Sequence, residues 1–272
     1  NDKEFVMSNQ VMQKAFVEKC LSDIQQYDVS EMPVIRSRSF SPGITAGDTV
    51  VVPEKGSVVG EGILTFTGYL SEVNRTDAQN AYLFASLVAN KKYPREDQGQ
   101  DWYLLFRDVM SKAGWTPTSI YYNNLEVGGT SVRMDKLVLE ILASVISGLA
   151  LPGPTSALML KVATDAIAAL SKRETALTLY ERNLLNNGVG GISTGACTEV
   201  NGVPLMAVGA VRFQRRNTSD KVLFVDVDVR NVKMYRGETV FEKNTDTANA
   251  TRDYIRTKLG LNALSKIEEF EI

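Results

Sequence analysis

From Ile141 to Leu160 the chain carries no charged residue. A run of that length approaches what a helix needs to cross a bilayer, about 20 apolar residues. Pro152-Gly153-Pro154 stands inside it, and proline within a helix removes a hydrogen bond and clashes with the preceding turn. The run therefore reads as two helices folded back on each other. The first, starting near Arg133 with Ser131 as its cap, carries Leu137, Val138, Ile141, Leu142, Val145, Ile146 and Leu149. The second carries Ala157, Leu158, Leu160, Val162, Ala163, Ile167 and Leu170. Helices with so little polar face are buried on most sides. The expectation is a central helical hairpin inside a core. Its functional alternatives are a segment that inserts in a bilayer, as in a pore-forming toxin using residues 134–170, or one that shelters an acyl chain.

Around this hairpin the pattern alternates between helix and strand. Residues 3–27 show apolar positions at helical spacing (Phe5, Met12, Phe16, Cys20, Ile24), with Cys20 as a small buried hydrophobe. Residues 33–53 read as loop plus a short strand at 49–52, and residues 62–70 alternate as a strand. Residues 76–92 and 101–113 read as helices, the second capped by Asp101. Residues 119–127 read as a strand, and residues 172–185 as a more polar helix ended by Asn187-Gly188.

The C-terminal part turns to β. Residues 189–200 and 203–213 flank Asn201-Gly202, a strong two-residue hairpin signal. Residues 222–229 alternate, and residues 232–241 are expected to pair with them. Residues 247–258 form a closing helix. Strands and helices interleave without regular βαβ spacing. The fold expected is one domain over residues 1–272, α/β or α+β, with a mixed or antiparallel sheet whose Asn-Gly hairpin packs on the apolar helices.

Composition removes several function classes. The chain of 272 residues has 30 basic and 32 acidic residues and no histidine. A net charge of -2 offers no field for nucleic acid. Arg212, Arg215 and Arg216 read as a solvated strand end. Two cysteines without histidine cannot supply the usual four nitrogen or sulfur ligands of structural zinc, and two unpaired thiols are expected. Phosphate-binding glycine loops are missing, so neither metal nor nucleotide is expected. Asn1–Val6 lacks a charged n-region followed by an apolar one, so a cleavable secretory signal is not expected; the location expected is the cytoplasm or its membrane, with any export by another route.

Three sets of residues invite a catalytic reading. Gly191-Ile192-Ser193-Thr194-Gly195 matches the G-x-S-x-G elbow, but a hairpin strand runs through it and histidine is lacking as base. Asp226 and Asp228, with Glu199 on the neighbouring hairpin, suit a cation or a glycosidic bond, yet alternating charge on a strand is better explained as a solvated face. Cys197 lacks the histidine that activates papain-type thiols. Non-enzymatic function is expected, with an acyl-carrier or acyltransferase role for Cys197 as the alternative.

The hairpin itself is informative. A two-residue turn at Asn201-Gly202 sets Cys197 opposite Met206, Gly195 opposite Val208 and Ser193 opposite Ala210 on one face. Ala196 faces Ala207, and Thr194 faces Gly209, on the other. Such small side chains admit close approach by a helix or an apolar guest. A thiol beside such a groove suits a fatty acyl thioester. The expected cavity is lined by Met206 and Val208 from the hairpin and by Leu137, Ile141, Val145, Leu158 and Val162 from the apolar helices. Close packing over a buried free cysteine is the alternative.

Asp101-Trp102-Tyr103 through Gly114-Trp115, then Val132-Arg133-Met134-Asp135-Lys136-Leu137-Val138-Leu139-Glu140-Ile141-Leu142-Ala143, and the lone cysteine closing Gly191-Ile192-Ser193-Thr194-Gly195-Ala196-Cys197, resemble the Erwinia virulence factor (Evf) family. The resemblance spans most of the chain and rests on overall character and the isolated cysteine. It implies an α/β fold, a role in bacterial persistence in an insect gut, and a palmitoyl group in thioester linkage at the position of Cys197. An acyl chain that emerges at a bilayer would make a lipid membrane a conditional partner.

Overall fold

The structure, a computed structural model, describes residues 2–29, 53–186, 190–213, 222–230 and 232–272. In chain order its elements are α1 (Asp2–Gln26), β1 (Lys55–Val59), β2 (Gly62–Phe66), α2 (Glu72–Lys92), α3 (Gly99–Lys112), β3 (Trp115–Asn124), β4 (Ser131–Arg133), α4 (Met134–Ser147), α5 (Gly153–Leu170) and α6 (Glu174–Asn186). There follow β5 (Gly190–Val200), β6 (Val203–Phe213), β7 (Asp226–Asp228), β8 (Met234–Lys243), α7 (Thr245–Leu259), α8 (Leu261–Lys266) and β9 (Ile267–Glu271). The expected strand at 49–52 and the Asn187-Gly188 stop lie outside the described residues.

Seven strands form one mixed sheet in the order β3-β8-β6-β5-β2-β1-β9, in which β2 and β5 run parallel and the other neighbours antiparallel. The class is α/β, with helices on both faces. Side chains of a strand alternate between faces, and here each face has its own cover. On one, α2 and α3 build a core with Leu64, Phe66, Cys197, Met206, Val208 and Phe241. On the other, α4, α5 and α6 pack against Val58, Ile63, Ile192, Val211, Ala196 and Ala207. Outside α2 and α3, α1 packs against α7 and α3.

The hairpin stands as read: Asn201 and Gly202 have φ of 51° and 78°, the paired positive values of a type I′ turn. Its register continues from Val200 opposite Val203 to Gly190 opposite Phe213. The proline breaker also stands, with Pro152 preceding the first turn of α5.

Elsewhere the structure corrects the reading. Ser131 is in β4 and does not cap α4, whose preceding residue Arg133 makes no side-chain cap hydrogen bond. Asp101 lies in the first turn of α3 rather than at its cap. Residues 222–229 contain only the short β7, which pairs with β4 in a separate two-stranded sheet; β8 pairs with β3 and β6 instead. The helix expected at 247–258 is present as α7, but α8 and the edge strand β9, neither of them expected, follow it. On α1, Cys20 and Ile24 are buried, but Met12 and Phe16 are exposed.

Candidate functional site

The register around the hairpin lays out rows of side chains across four strands. On the α2–α3 face one row is Phe66, Cys197, Met206, Phe241; the next is Leu64, Gly195, Val208, Thr239; the third is Gly62, Ser193, Ala210, Gly237. The third row carries four small residues side by side, and two tyrosine rings fill the space above it. A Cβ on Gly62 would come 2.6 Å from the Tyr82 ring, and one on Gly237 would come 2.6 Å from the Tyr103 ring. The rings are fixed by their hydroxyls: Tyr82 bonds the Ser193 hydroxyl, and Tyr103 lies 2.6 Å from Thr239 Oγ1. Phe106 packs among them, 5.0 Å from Tyr82 and 6.3 Å edge-on from Phe241 between ring centres. The small residues thus admit close helix approach, and aromatic side chains occupy the room they leave.

Cys197 lies at the end of this layer with no exposed surface. Burial pushes its thiol far above the usual value, with the Arg75 guanidinium pulling the other way. A thiol held protonated is a poor nucleophile and a poor metal ligand. Cys20 is likewise free and buried, and its thiol is raised by burial and by Asp23.

Met206 and Val208 share the Cys197 layer. The helix residues expected beside them do not. Leu137 and Ile141 pack with Ile63, Ile192 and Val211; Val145 packs with Ala196, Ala207 and Val240; Val162 is buried and Leu158 half-buried on α5. These positions belong to the opposite face, so the sheet stands between them and the thiol. The physical reason is the approach of α4: a Cβ on Gly209 would come 2.8 Å from the Leu142 backbone nitrogen. Gly209 shares a face with Ala196 and Ala207, so α4 sits on the side of the ribbon that Cys197 does not occupy. The single cavity expected from hairpin and apolar helices is not formed. Along the far side of the same sheet a cleft of about 380 Å³ lies between the end of α4 with the turn after it (Ser144, Val145, Leu149) and the β3–β8 edge (Ser119, Tyr121, Val240). It does not reach Cys197.

The other expected sites resolve separately. Ser193 lies inside a strand, away from any strand-to-helix elbow, and its hydroxyl is engaged by Tyr82. Asp226 and Asp228 are exposed, Asp228 with Arg230. Glu199 lies on the seven-stranded sheet, away from β7, and accepts from Asn74 of α2. Arg212 is not solvated: it is buried, 3.4 Å from Glu61 and stacked 3.5 Å over the Trp102 ring. Glu61 also accepts from Asn90, which in turn accepts from Trp102 at 2.5 Å. A second buried network joins Asp77 to Lys243 and Arg252, each within 2.6 Å. Charged residues scattered over distant segments gave no sequence signal for either network.

Among the described residues no helix is long and apolar enough to cross a membrane. The apolar run is divided into α4 of 14 residues and α5 of 18.

What fold and site define is an α/β protein with a wholly enclosed thiol on the central strand of its sheet. No family model matches the sequence, and no curated protein matches it. Among solved structures, a delta-endotoxin is similar over 79% of this chain and 91% of its own, at 9% identity and a TM-score of 0.32. The structure of the Evf virulence factor is similar over 79% of this chain and 82% of its own, at 12% identity and a TM-score of 0.29. Scores this low transfer neither fold nor function to this chain.

Proposed function

We propose that this chain is a non-enzymatic bacterial virulence factor that carries a fatty acyl group on Cys197 and associates with membranes through it. The observation that carries the reading is the setting of the thiol: it has no exposed surface and lies in a row of Phe66, Met206 and Phe241. An apolar enclosure is what a thioester needs to outlast water, and what an alkyl chain needs to be retained, at about 0.8 kcal/mol per buried methylene. The resemblance of the tryptophan-bearing segment and the lone cysteine to the Evf family supplies the choice of palmitate. The acyl chain belongs to the α2–α3 layer, on the face that Cys197 occupies, and it takes space there at the expense of the aromatic packing. A single acyl chain binds a bilayer only marginally and reversibly, so membrane association is conditional on the chain leaving this layer.

Feeding producing cells an alkynyl fatty acid and tagging the purified protein tests the reading. Label is expected on wild type and on Cys20→Ser, removable by neutral hydroxylamine, and none on Cys197→Ser. Equal labelling of Cys197→Ser, or no label on wild type, overturns it.

A further inference from the structure

One buried cation beside the Cys197 layer carries a hydrogen-bond donor with no acceptor. Arg75, on α2, is 2% exposed, and its Nε–H has no hydrogen-bond partner. Among the described residues its guanidinium makes one hydrogen bond, from Nη2 to the Pro53 carbonyl, long at 3.4 Å, and no ion pair. A guanidinium taken out of water without a carboxylate is costly. Burial accordingly pulls its pKa down, against attraction from Glu269 and Glu72. An orphaned buried donor on a cation calls for a partner.

The fold says where that donor lies. On α2, Tyr82 reaches Ser193, the register partner of Gly62. Arg75 is seven residues earlier, roughly 10 Å along the helix axis, and its guanidinium lies 5.5 Å over the ring of Phe66. Phe66 is the register partner of Cys197. The helix thus runs antiparallel to β2 and β5 and delivers Arg75 to the cysteine end of the layer. Every other neighbour of Cys197 in its row is apolar. A thioester at Cys197 has one polar atom that needs a donor, its carbonyl oxygen, and hydrogen bonds from charged donors are the strong ones.

We infer that Arg75 is the positioning residue of the acyl site, its free Nε–H donating to the carbonyl oxygen of a fatty acyl thioester on Cys197. The inference rests on the acylation reading above. It gives the site a polar end and an apolar end: the carbonyl is held at Phe66 and Arg75, and the alkyl chain is directed away from them. The class of ligand follows, a long-chain carboxylic acid in ester linkage to sulfur.

The test is infrared spectroscopy of protein from cells fed palmitate labelled with ¹³C at its carboxyl carbon. The thioester carbonyl band is expected at lower frequency in wild type than for a model thioester carrying the same ¹³C label in alkane. It should rise to the alkane position in Arg75→Met and stay low in Arg75→Lys, which keeps a cationic donor. A wild-type band at the alkane position, or one unchanged in Arg75→Met, overturns the inference while leaving the acyl group in place. No ¹³C-labelled acyl group on wild type overturns the acylation reading itself. Should Arg75→Met fail to fold, the wild-type band against the alkane standard decides alone.

Discussion

Ala196 and Cys197, covalent neighbours on β5, face opposite layers of the molecule: Ala196 packs with Leu142, Val145 and Ile146, and Cys197 with the aromatic core of α2 and α3. That one-residue alternation decides which helices cover the thiol. It places the proposed acyl chain against Tyr82, Phe106 and Phe241, and leaves the most apolar helices as a separate structural support.

The approach of α4 to the sheet depends on Gly209. Adding a Cβ there puts it 2.8 Å from the Leu142 nitrogen and 3.1 Å from Ile141 Cγ2. Backbone cannot yield as a side-chain tip can, so Gly209→Ala should cost about 1–3 kcal/mol. Urea unfolding measures it. Full stability in Gly209→Ala would mean that α4 is not seated as described.

Asp77 should make the fold acid-sensitive. Burial would raise its pKa, but hydrogen bonds from Arg252 and Lys243 outweigh that and hold it below the usual carboxylate value. A depressed carboxylate contributes stability above its unfolded pKa, about 3.9, and loses it as pH falls towards the folded value. Asp77→Asn should therefore be less stable at neutral pH, with the difference from wild type shrinking below about pH 4. Chemical denaturation at a series of pH values checks the sign.

At alkaline pH the enclosed thiol and Tyr82 act together. Both pKa values are raised by burial, Tyr82 to about 12. A raised acid favours the folded state below its unfolded pKa, near 9 for a thiol and 10 for a tyrosine, and its contribution is lost as pH rises towards the folded value. Deacylated protein should lose stability above about pH 9, and Cys197→Ala should lose less of it over the same range. Native deacylated protein should also leave both thiols unreactive towards a disulfide reagent until it unfolds.

The buried pair of Glu61 and Arg212 should be sensitive to losing one member. Both side chains are 5% exposed. Glu61→Gln leaves Arg212 stacked on Trp102 without its carboxylate, at a cost of about 3 kcal/mol or more. A loss below about 1 kcal/mol would show that the Trp102 ring alone supports the guanidinium.

Local chemistry made much of this fold legible. Asn201-Gly202 specified a turn with two positive φ angles, and the hairpin register followed from it residue by residue. Pro152-Gly153-Pro154 divided the apolar run at the boundary between α4 and α5. The cover of each sheet face was not legible, because alternation says which residues share a face and not which helices reach it. Apolar character points to α4 and α5 as the cover of the cysteine, whereas the tyrosine and phenylalanine positions of α2 and α3 cover it. β9 was hidden for a related reason: Ile267-Glu268-Glu269-Phe270-Glu271 is an acidic edge strand, with few apolar residues to announce it. Arg212 looked like a solvated end because Glu61 and Trp102, its partners, are far away in sequence.

Whether Cys197 holds the proposed fatty acyl thioester is decided by the intact mass of the purified protein before and after neutral hydroxylamine. The expected mass exceeds the bare sequence by a long acyl chain, palmitate by resemblance, removed by hydroxylamine and mapped to the peptide containing Cys197. A mass equal to the bare sequence before treatment would contradict it and leave Cys197 as a core thiol of the sheet.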